Sequence, residues 1–172
     1  VENINFSTKN LVLGSMHLAT WDTSFISQTI IDGNQSGSVV DLGSSQNSST
    51  VIQGFTIQNG AALEPWPYNV GGGIRLFQAN ATLSYLRIIS NSAELGGGIY
   101  CRQASPSIDN LLIQGNQASD EGGGLNCWGG NPVITNTSIH NNTAHSGAGM
   151  DFINSNPIIE SSEISGNIAG TG

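Results

Sequence analysis

Short apolar runs alternate along the chain with clusters of glycine, asparagine, serine and proline, and in the second half this pattern becomes a repeat. Four glycine-rich stretches lead into an apolar residue, at 71–74, 96–99, 122–125 and 147–150. Other columns recur with the same period of about 25 residues, a length typical of solenoid repeats. The aligned positions are Leu83, Ile108, Ile134 and Ile159; Ile88, Ile113, Ile139 and Ile164; Asn91, Asn116, Asn142 and Asn167; and Ala93, Ala118, Ala144 and Ala169.

Each repeat holds short apolar stretches between turn residues and few helix formers, which favours a coil of a β-helix over a leucine-rich repeat. We predict an all-β fold, a right-handed parallel β-helix of about seven coils, each with about 25 residues and three short strands. Residues 1–69 are expected to form irregular N-terminal coils and 70–172 regular ones, within one domain. The repeat is cut at Gly172, so we expect a piece of a longer chain that continues into further coils or stacks end to end.

Alternation along the strand that follows each glycine-rich stretch predicts which side chains face inward. The inward pairs are Ile74/Leu76, Ile99/Cys101, Leu125/Cys127 and Met150/Phe152; the outward pairs are Arg75/Phe77, Tyr100/Arg102, Asn126/Trp128 and Asp151/Ile153. Cys101 and Cys127 are expected to be stacked, reduced thiols, because a disulfide between in-register parallel strands is geometrically awkward. The recurring asparagine is expected to bond to backbone and to its neighbours in adjacent coils.

Composition narrows the function classes. The chain has 4 Lys and Arg against 12 Asp and Glu, a net charge of −8, so binding to nucleic acid is disfavoured. No apolar run is long enough to span a membrane. A surface poor in lysine and rich in asparagine, serine and threonine favours a secreted or cell-surface protein.

Outward aromatic and arginine side chains on one sheet face suggest a surface for sugars, because aromatic rings stack on sugar rings and arginine binds carboxylates. The loop from Ala61 to Val70 is predicted to wall one side of this face; the alternative is that the loop packs over the face and buries it. The candidate carbohydrate-binding residues are Trp66, Tyr68, Arg75, Phe77, Tyr100, Arg102 and Trp128.

A second column, two residues ahead of each glycine-rich stretch, holds Asn69, Glu94, Asp120 and His145. Carboxylates stacked on successive coils shift one another's pKa and attract Ca²⁺. Glu94, Asp120 and Glu121 are therefore candidate metal ligands, although solvated turn tips are the simpler interpretation and no cofactor is required. Glu94, Asp120 and Arg102 are the candidate catalytic residues. His17 and His140 are isolated and are expected to be surface or turn residues.

The Gly-Gly-Gly-Ile and Ile-x-x-Asn elements, with Ser105-Pro106, Asn131-Pro132 and Asn156-Pro157 between them, resemble right-handed β-helix repeats of bacterial secreted and surface proteins in the pectin-lyase-like superfold. They are also similar to the repeats of polymorphic outer-membrane proteins. The resemblance covers residues 70–172 best. It implies the fold and leaves function open, because the superfold includes lyases, hydrolases, adhesins and stalks.

Two functional hypotheses follow from these patterns. The first is a non-catalytic extracellular β-helix that serves as a stalk, an adhesin segment or a surface for polysaccharide or cell-surface glycan. The second is a polysaccharide lyase or glycoside hydrolase that acts on an acidic polysaccharide along the outer face. A lyase needs a base and a cation beside the sugar carboxylate, and a hydrolase needs paired acids.

Overall fold

The computed structural model describes residues 2–65, 67 and 69–170. These residues form a right-handed parallel β-helix with four parallel sheets, A to D, that run along the solenoid. Sheet A contains β1 (Ile4–Asn5), β4 (Val40–Leu42), β8 (Ile74–Phe77), β12 (Ile99–Arg102), β16 (Leu125–Trp128) and β20 (Met150–Ile153). Sheet B contains β2 (Val12–Gly14), β5 (Val51–Gln53), β9 (Thr82–Ser84), β13 (Ser107–Asp109), β17 (Val133–Thr135) and β21 (Ile158–Glu160).

The remaining two sheets complete each coil. Sheet C contains β3 (Ile30–Asp32), β6 (Thr56–Gln58), β10 (Arg87–Ile89), β14 (Leu112–Gln114), β18 (Ser138–His140) and β22 (Glu163–Ser165). Sheet D contains β7 (Ala61–Ala62), β11 (Ser92–Leu95), β15 (Gln117–Glu121), β19 (Thr143–Ala144) and β23 (Ile168–Ala169). Two short helices, α1 (Met16–Thr20) and α2 (Ser24–Gln28), lie between β2 and β3.

The prediction of a right-handed parallel β-helix is confirmed, but the number of coils is about five rather than seven. Residues 2–39 form only an incomplete first turn, because they contribute strands to sheets A, B and C but none to sheet D. Helices α1 and α2 are inserted at the corner between sheets B and C. The corner between β4 and β5 is also longer than its counterparts in later coils. Dividing the chain length by the period of the regular repeat therefore overestimates the number of coils.

Each complete coil has four strands rather than the predicted three. The strands of sheet D contribute small inward residues, Ala62, Ala93, Ala118 and Ala144, instead of large aliphatic ones. Such strands do not stand out as apolar runs in the sequence. The small side chains narrow the coil where sheet D packs against the rest of the solenoid.

The core follows the predicted inward columns. Ile74, Leu76, Ile99 and Leu125 are completely buried, and the aliphatic columns of sheets B and C are buried with them through the middle of the solenoid. In the last coil the same columns are partly exposed because no further coil covers them among the described residues. The exposed apolar side chains at this edge are Ile153, Ile158, Ile159, Ile164 and Ile168.

Buried asparagines link the coils at the corner between sheets C and D, as predicted. Asn116 Oδ1 accepts hydrogen bonds from the backbone and side-chain amides of Asn91, both at 3.0 Å. Asn116 Nδ2 donates to Ile88 O at 2.9 Å and to Asn142 Oδ1 at 3.0 Å. Asn142 makes the equivalent bonds to Asn167. The ladder satisfies the polar groups at a corner that is otherwise sealed from water.

Cys101 and Cys127 are free, fully buried and paired in register on β12 and β16, which confirms the predicted stacked thiols. The hydrogen bond between them raises the pKa of Cys101 and lowers that of Cys127. Their position inside the solenoid makes them part of the core.

No helix in the described ranges has the length and apolar character needed to cross a membrane.

The expectation for His17 is wrong. Its side chain is only 1% exposed, because α1 turns it inward against sheet B. Its ring lies 4.6 Å from that of Tyr85 and 5.7 Å from that of Trp21, and Nδ1 lies 3.3 Å from Gln53 Nε2. His17 therefore anchors the inserted helices to the solenoid.

Candidate functional site

The outer face of sheet A carries three side chains at the same register on successive coils. Arg102 pairs with Phe77 on one neighbouring strand and with Trp128 on the other. The Arg102 guanidinium carbon lies 5.5 Å from the centroid of the Phe77 ring and 4.4 Å from that of Trp128. Both distances fall within the range of cation–π contacts. We call Phe77, Arg102 and Trp128 the arginine–aromatic stack.

The arginine–aromatic stack is open to solvent. Phe77 is 36% exposed and Trp128 is 38% exposed, and Arg102 is partly exposed between them. The glycine-rich stretch before a sheet A strand forms the corner between sheets D and A, which we call the glycine corner. The last residue of the strand lies farthest from this corner, so nothing in the corner covers it. Large rings that remain this exposed at a fixed register are unusual for side chains whose only role is packing.

Arg75 is held by an ion pair that the sequence did not predict. Its Nε and Nη2 donate to the two carboxylate oxygens of Asp41, both at 2.7 Å. Nη1 donates to Pro67 O at 3.1 Å, which ties the predicted wall loop to this face. A ligand carboxylate would have to displace Asp41 to bind Arg75.

A groove of about 460 Å³ lies beside the arginine–aromatic stack. It is lined by Asn5, Asp41, Arg75, Phe77 and Arg102, with Pro67 on one side. Polar and charged groups thus surround one exposed aromatic ring, and the volume is in the range of small-molecule sites. Trp66 and Tyr68, which were predicted to contribute to this site, lie outside the described residues.

Tyr100 does not join the exposed face, which corrects its assignment as a carbohydrate-binding residue. It is 1% exposed, and burial raises its pKa. The physical reason is the glycine corner, which folds back against the second residue of each sheet A strand. A Cβ on Gly96 would lie 2.9 Å from the Tyr100 Cα, and one on Gly122 would lie 2.6 Å from the Asn126 Cβ.

The carboxylates of the column that holds Asn69, Glu94, Asp120 and His145 lie in two places. The Asn69 side-chain amide donates to Glu94 Oε2, and both residues line a separate groove with Glu64 and Ser119. In the next coil a bulge in β15 shifts the register, so that Leu95 pairs with Glu121. The one-to-one stacking of this column is therefore interrupted between Glu94 and Asp120.

Glu121 and Asp120 instead lie near Asp151. Partial burial raises the pKa of Glu121, and the charges of Asp151 and Asp120 raise it further. Burial and Asp120 likewise raise the pKa of Asp151, whose Oδ2 accepts a hydrogen bond from Asn126 Nδ2 at 3.1 Å. Within the described ranges no three His, Cys, Asp or Glu side chains are arranged to hold a metal ion. Glu94, Asp120 and Glu121 are therefore not assembled as one calcium site.

The raised pKa of Glu121 predicts a pH-dependent cost. The folded state disfavours the ionised carboxylate, so stability falls as pH rises through the window between the ordinary and the raised pKa. We expect Glu121→Gln to raise the melting temperature at pH 7 by about 1–2 °C, with the gain disappearing below about pH 4. Glu160→Gln removes the same charge elsewhere, and an equal gain in that variant at pH 7 would show that net charge alone is responsible.

The candidate catalytic residues are also not brought into one cavity. Arg102 is the last residue of β12. It lies roughly 10 Å along the strand from the corner that connects β12 to β11, the strand that contains Glu94. Arg102 and Glu94 line different grooves, and Asp120 lines neither of them. Glu94 and Arg102 are therefore not placed to act on the same group of a substrate, because a general base must lie within hydrogen-bond reach of the group that it deprotonates.

Sequence reasoning missed Asn5 and Asp41, which complete the groove. Asp41 pairs in register with Arg75, and Asn5 Nδ2 donates to Asp41 Oδ2 at 3.1 Å. The run Val39-Val40-Asp41-Leu42 has the same alternation as Gly73-Ile74-Arg75-Leu76. This alternation was the available signal, but no glycine-rich stretch precedes it to fix the alignment.

Comparison with known proteins supports the fold. The family model for the right-handed beta helix region matches residues 72–172, which is more than half of the chain. Searches of curated proteins and of solved structures gave no match. Four parallel sheets, the buried asparagine ladder and this match lead to one conclusion: the chain belongs to the right-handed beta helix region family.

Proposed function

We propose that the chain is a non-catalytic extracellular β-helix, secreted or at a bacterial cell surface, that binds carbohydrate on the outer face of sheet A. The observation that carries this proposal is the solvent-open arginine–aromatic stack beside a polar groove. The right-handed β-helix fold is compatible with structural, binding and polysaccharide-acting roles.

The chemistry of the stack suits a sugar chain. The Phe77 and Trp128 rings offer apolar faces to the C–H groups of sugar rings, and their positions on fixed strands limit the entropy lost on binding. The Arg102 guanidinium is kept between the rings and can donate to hydroxyl or carboxylate oxygens. Asn5 and Asp41 supply further polar groups in the groove.

A structural role along a cell surface is compatible with the same proposal. The resemblance of the repeats to the pectin-lyase-like superfold and to polymorphic outer-membrane proteins supports a stalk or adhesin segment. The exposed isoleucines of the last coil support contact with further coils, either in the same chain or by end-to-end stacking. A polysaccharide lyase or hydrolase has less support, because Glu94 and Arg102 line different grooves.

Replacing the exposed ring tests the proposal directly. We expect Trp128→Ala to weaken binding to the oligosaccharides that an array identifies by about tenfold, because one stacking platform is lost. Phe77→Ala should weaken the same ligands. The measurement is titration calorimetry with the strongest array ligand, together with assays for unsaturated products and new reducing ends on acidic polysaccharides, where we expect no turnover.

Val133→Ala is the matched control, because Val133 is also 39% exposed in the same coil but lies on sheet B. It should bind as the unmodified protein does. Unchanged binding by both Trp128→Ala and Phe77→Ala would refute the proposed surface. Turnover of an acidic polysaccharide would replace the proposal with the enzymatic alternative.

A further inference from the structure

A second groove, of about 470 Å³, lies along the corner between sheets B and C. Helix α2 forms one wall through Ile26 and Ser27, and Tyr85, Arg87 and Asn110 line the other parts. Helix α2 is fixed there by the hydrogen bond from Thr56 Oγ1 to Ile26 O at 2.8 Å. The groove therefore exists only where the inserted helices lie over the regular coils.

Tyr85 lines this groove and the Trp21 ring lies beside that of Tyr85, and both residues have a backbone conformation that large side chains rarely adopt. Tyr85 has φ 51° and Trp21 has φ 59°, both in the left-handed region. The equivalent corner positions in the next two coils are Asn110 and Asn136, residues that tolerate this conformation better. A tyrosine in this column carries a local energetic cost that an asparagine would reduce.

The Tyr85 and Trp21 rings form an aromatic platform. The Tyr85 and Trp21 rings lie 6.0 Å apart at 78°, and buried His17 contacts both from beneath. Trp21 remains 65% exposed even so. A large ring that is fixed at its base and open on its other face is preorganised to stack on a ligand.

The groove also contains a guanidinium, that of Arg87. Arg87 has no ion-pair partner in the described part of the chain. Its outward neighbours in register on sheet C are Thr56 and Leu112, and the first acid in that row is Glu163, roughly 14 Å away. The Arg87 guanidinium favours an anionic group from a ligand locally, against the net charge of −8 of the whole chain.

Neutral hydrogen-bonding groups complete the site. Asn110, Asn136 and Ser138 line the groove beyond Arg87 on the following coils. The Asp109 carboxylate accepts hydrogen bonds from the side-chain amides of Asn110 and Asn136, at 2.7 and 2.8 Å, and so fixes their orientation. Tyr85 and Arg87 thus lie in one coil, and the amides and the hydroxyl lie in the next two coils.

We infer that this groove is a second carbohydrate site, specific for an oligosaccharide with a carboxylate-bearing ring. A sugar ring stacks on Trp21 and Tyr85, the carboxylate of the next ring binds Arg87, and hydroxyls of a further ring bind Asn110 and Asn136. The inference stands independently of the function proposed for sheet A, because the two sites share no residue and lie on different sheets.

Titration calorimetry with three probes tests the inference: a glucuronate-containing trisaccharide, sialyllactose and uncharged lactose. The two acidic probes distinguish a uronic acid from a sialic acid as the source of the carboxylate. We expect at least one acidic probe to bind and lactose to bind at least tenfold more weakly. Arg87→Gln should weaken the acidic probe about tenfold, the loss expected for one charge-assisted hydrogen bond.

Trp21→Asn should weaken the same probe by a similar factor, and its fold should persist because Trp21 is exposed and asparagine accepts the left-handed conformation. Lys9→Gln removes an exposed cation that lines neither groove, so it is the matched control and should leave this binding within twofold. Arg102→Gln and Trp128→Ala, on sheet A, are titrated with the same probe to measure what the arginine–aromatic stack contributes. Unchanged binding by Arg87→Gln and Trp21→Asn would overturn the inference, as would equal binding of lactose. If only the sheet A variants lose binding, the proposed function survives and the second site does not.

Discussion

Gly97→Ala is expected to destabilise the protein by at least about 3 kcal/mol, or to prevent folding. A Cβ at this position would lie 2.3 Å from Gln117 O and 2.7 Å from Gly123 O, both backbone atoms of the next coil. The glycine is therefore required by close approach of successive coils rather than by an unusual backbone angle. Urea unfolding followed by circular dichroism measures the loss.

Gly115→Ala is the control that separates these two causes. Gly115 has φ +63°, yet a Cβ there would have nothing within 4 Å. We expect a loss of about 1 kcal/mol, the cost of placing an ordinary residue in the left-handed region. If Gly97→Ala proved no more damaging than Gly115→Ala, the coils would have to be spaced more loosely than the structure indicates.

Asn116→Ala is the second large effect, with an expected loss of about 3 kcal/mol. The substitution removes the acceptor of the two Asn91 amides and the donor to Ile88 O and Asn142 Oδ1, all in a buried corner. The groups left behind cannot reach water. The same urea titration measures the change.

Asn116→Asp tests whether hydrogen bonding or shape is responsible. Aspartate has nearly the same shape but replaces the two donated bonds with oxygen–oxygen contacts, so at pH 7 it should cost at least as much as alanine. Gln117→Ala, at the exposed neighbouring position, should change stability by less than about 0.5 kcal/mol. A mild effect of Asn116→Asp would show that the corner depends on volume alone.

The fold of residues 70–172 was predictable because the glycine-rich stretches recur at a nearly constant spacing. The glycine-rich stretches set the register, and alternation then placed Ile74, Ile99 and Leu125 correctly inside. Sheet D was missed because its inward residues are alanines, and α1 and α2 were missed because each is only five residues long.

The candidate site was less predictable than the fold. Alternation placed Phe77, Arg102 and Trp128 on one outer face, and the structure brings them into contact. Alternation alone did not show that a corner covers Tyr100, nor that Asp41 neutralises Arg75. The glycine corner is part of the repeat, but alternation along a strand does not show which side chains the preceding corner covers. Asp41 lies on β4 in register with Arg75, in a coil that no glycine-rich stretch marks in the sequence.

The asparagine ladder also limits where the chain can change in length. In the complete coils the connection from sheet C to sheet D has the same length throughout, from Gln58–Ala61 to Ser165–Ile168. Extra residues occur instead at the other corners: α1 and α2 between sheets B and C, 43–50 between A and B, and 63–69 between D and A.

An insertion beside the ladder would break two steps of it, whereas an insertion elsewhere only enlarges a surface loop. Both grooves are walled by such insertions, through Pro67 in one and Ile26 in the other. The corner between sheets C and D thus keeps a constant length along the solenoid. At the other corners, new recognition loops can be inserted without changing the register of the coils.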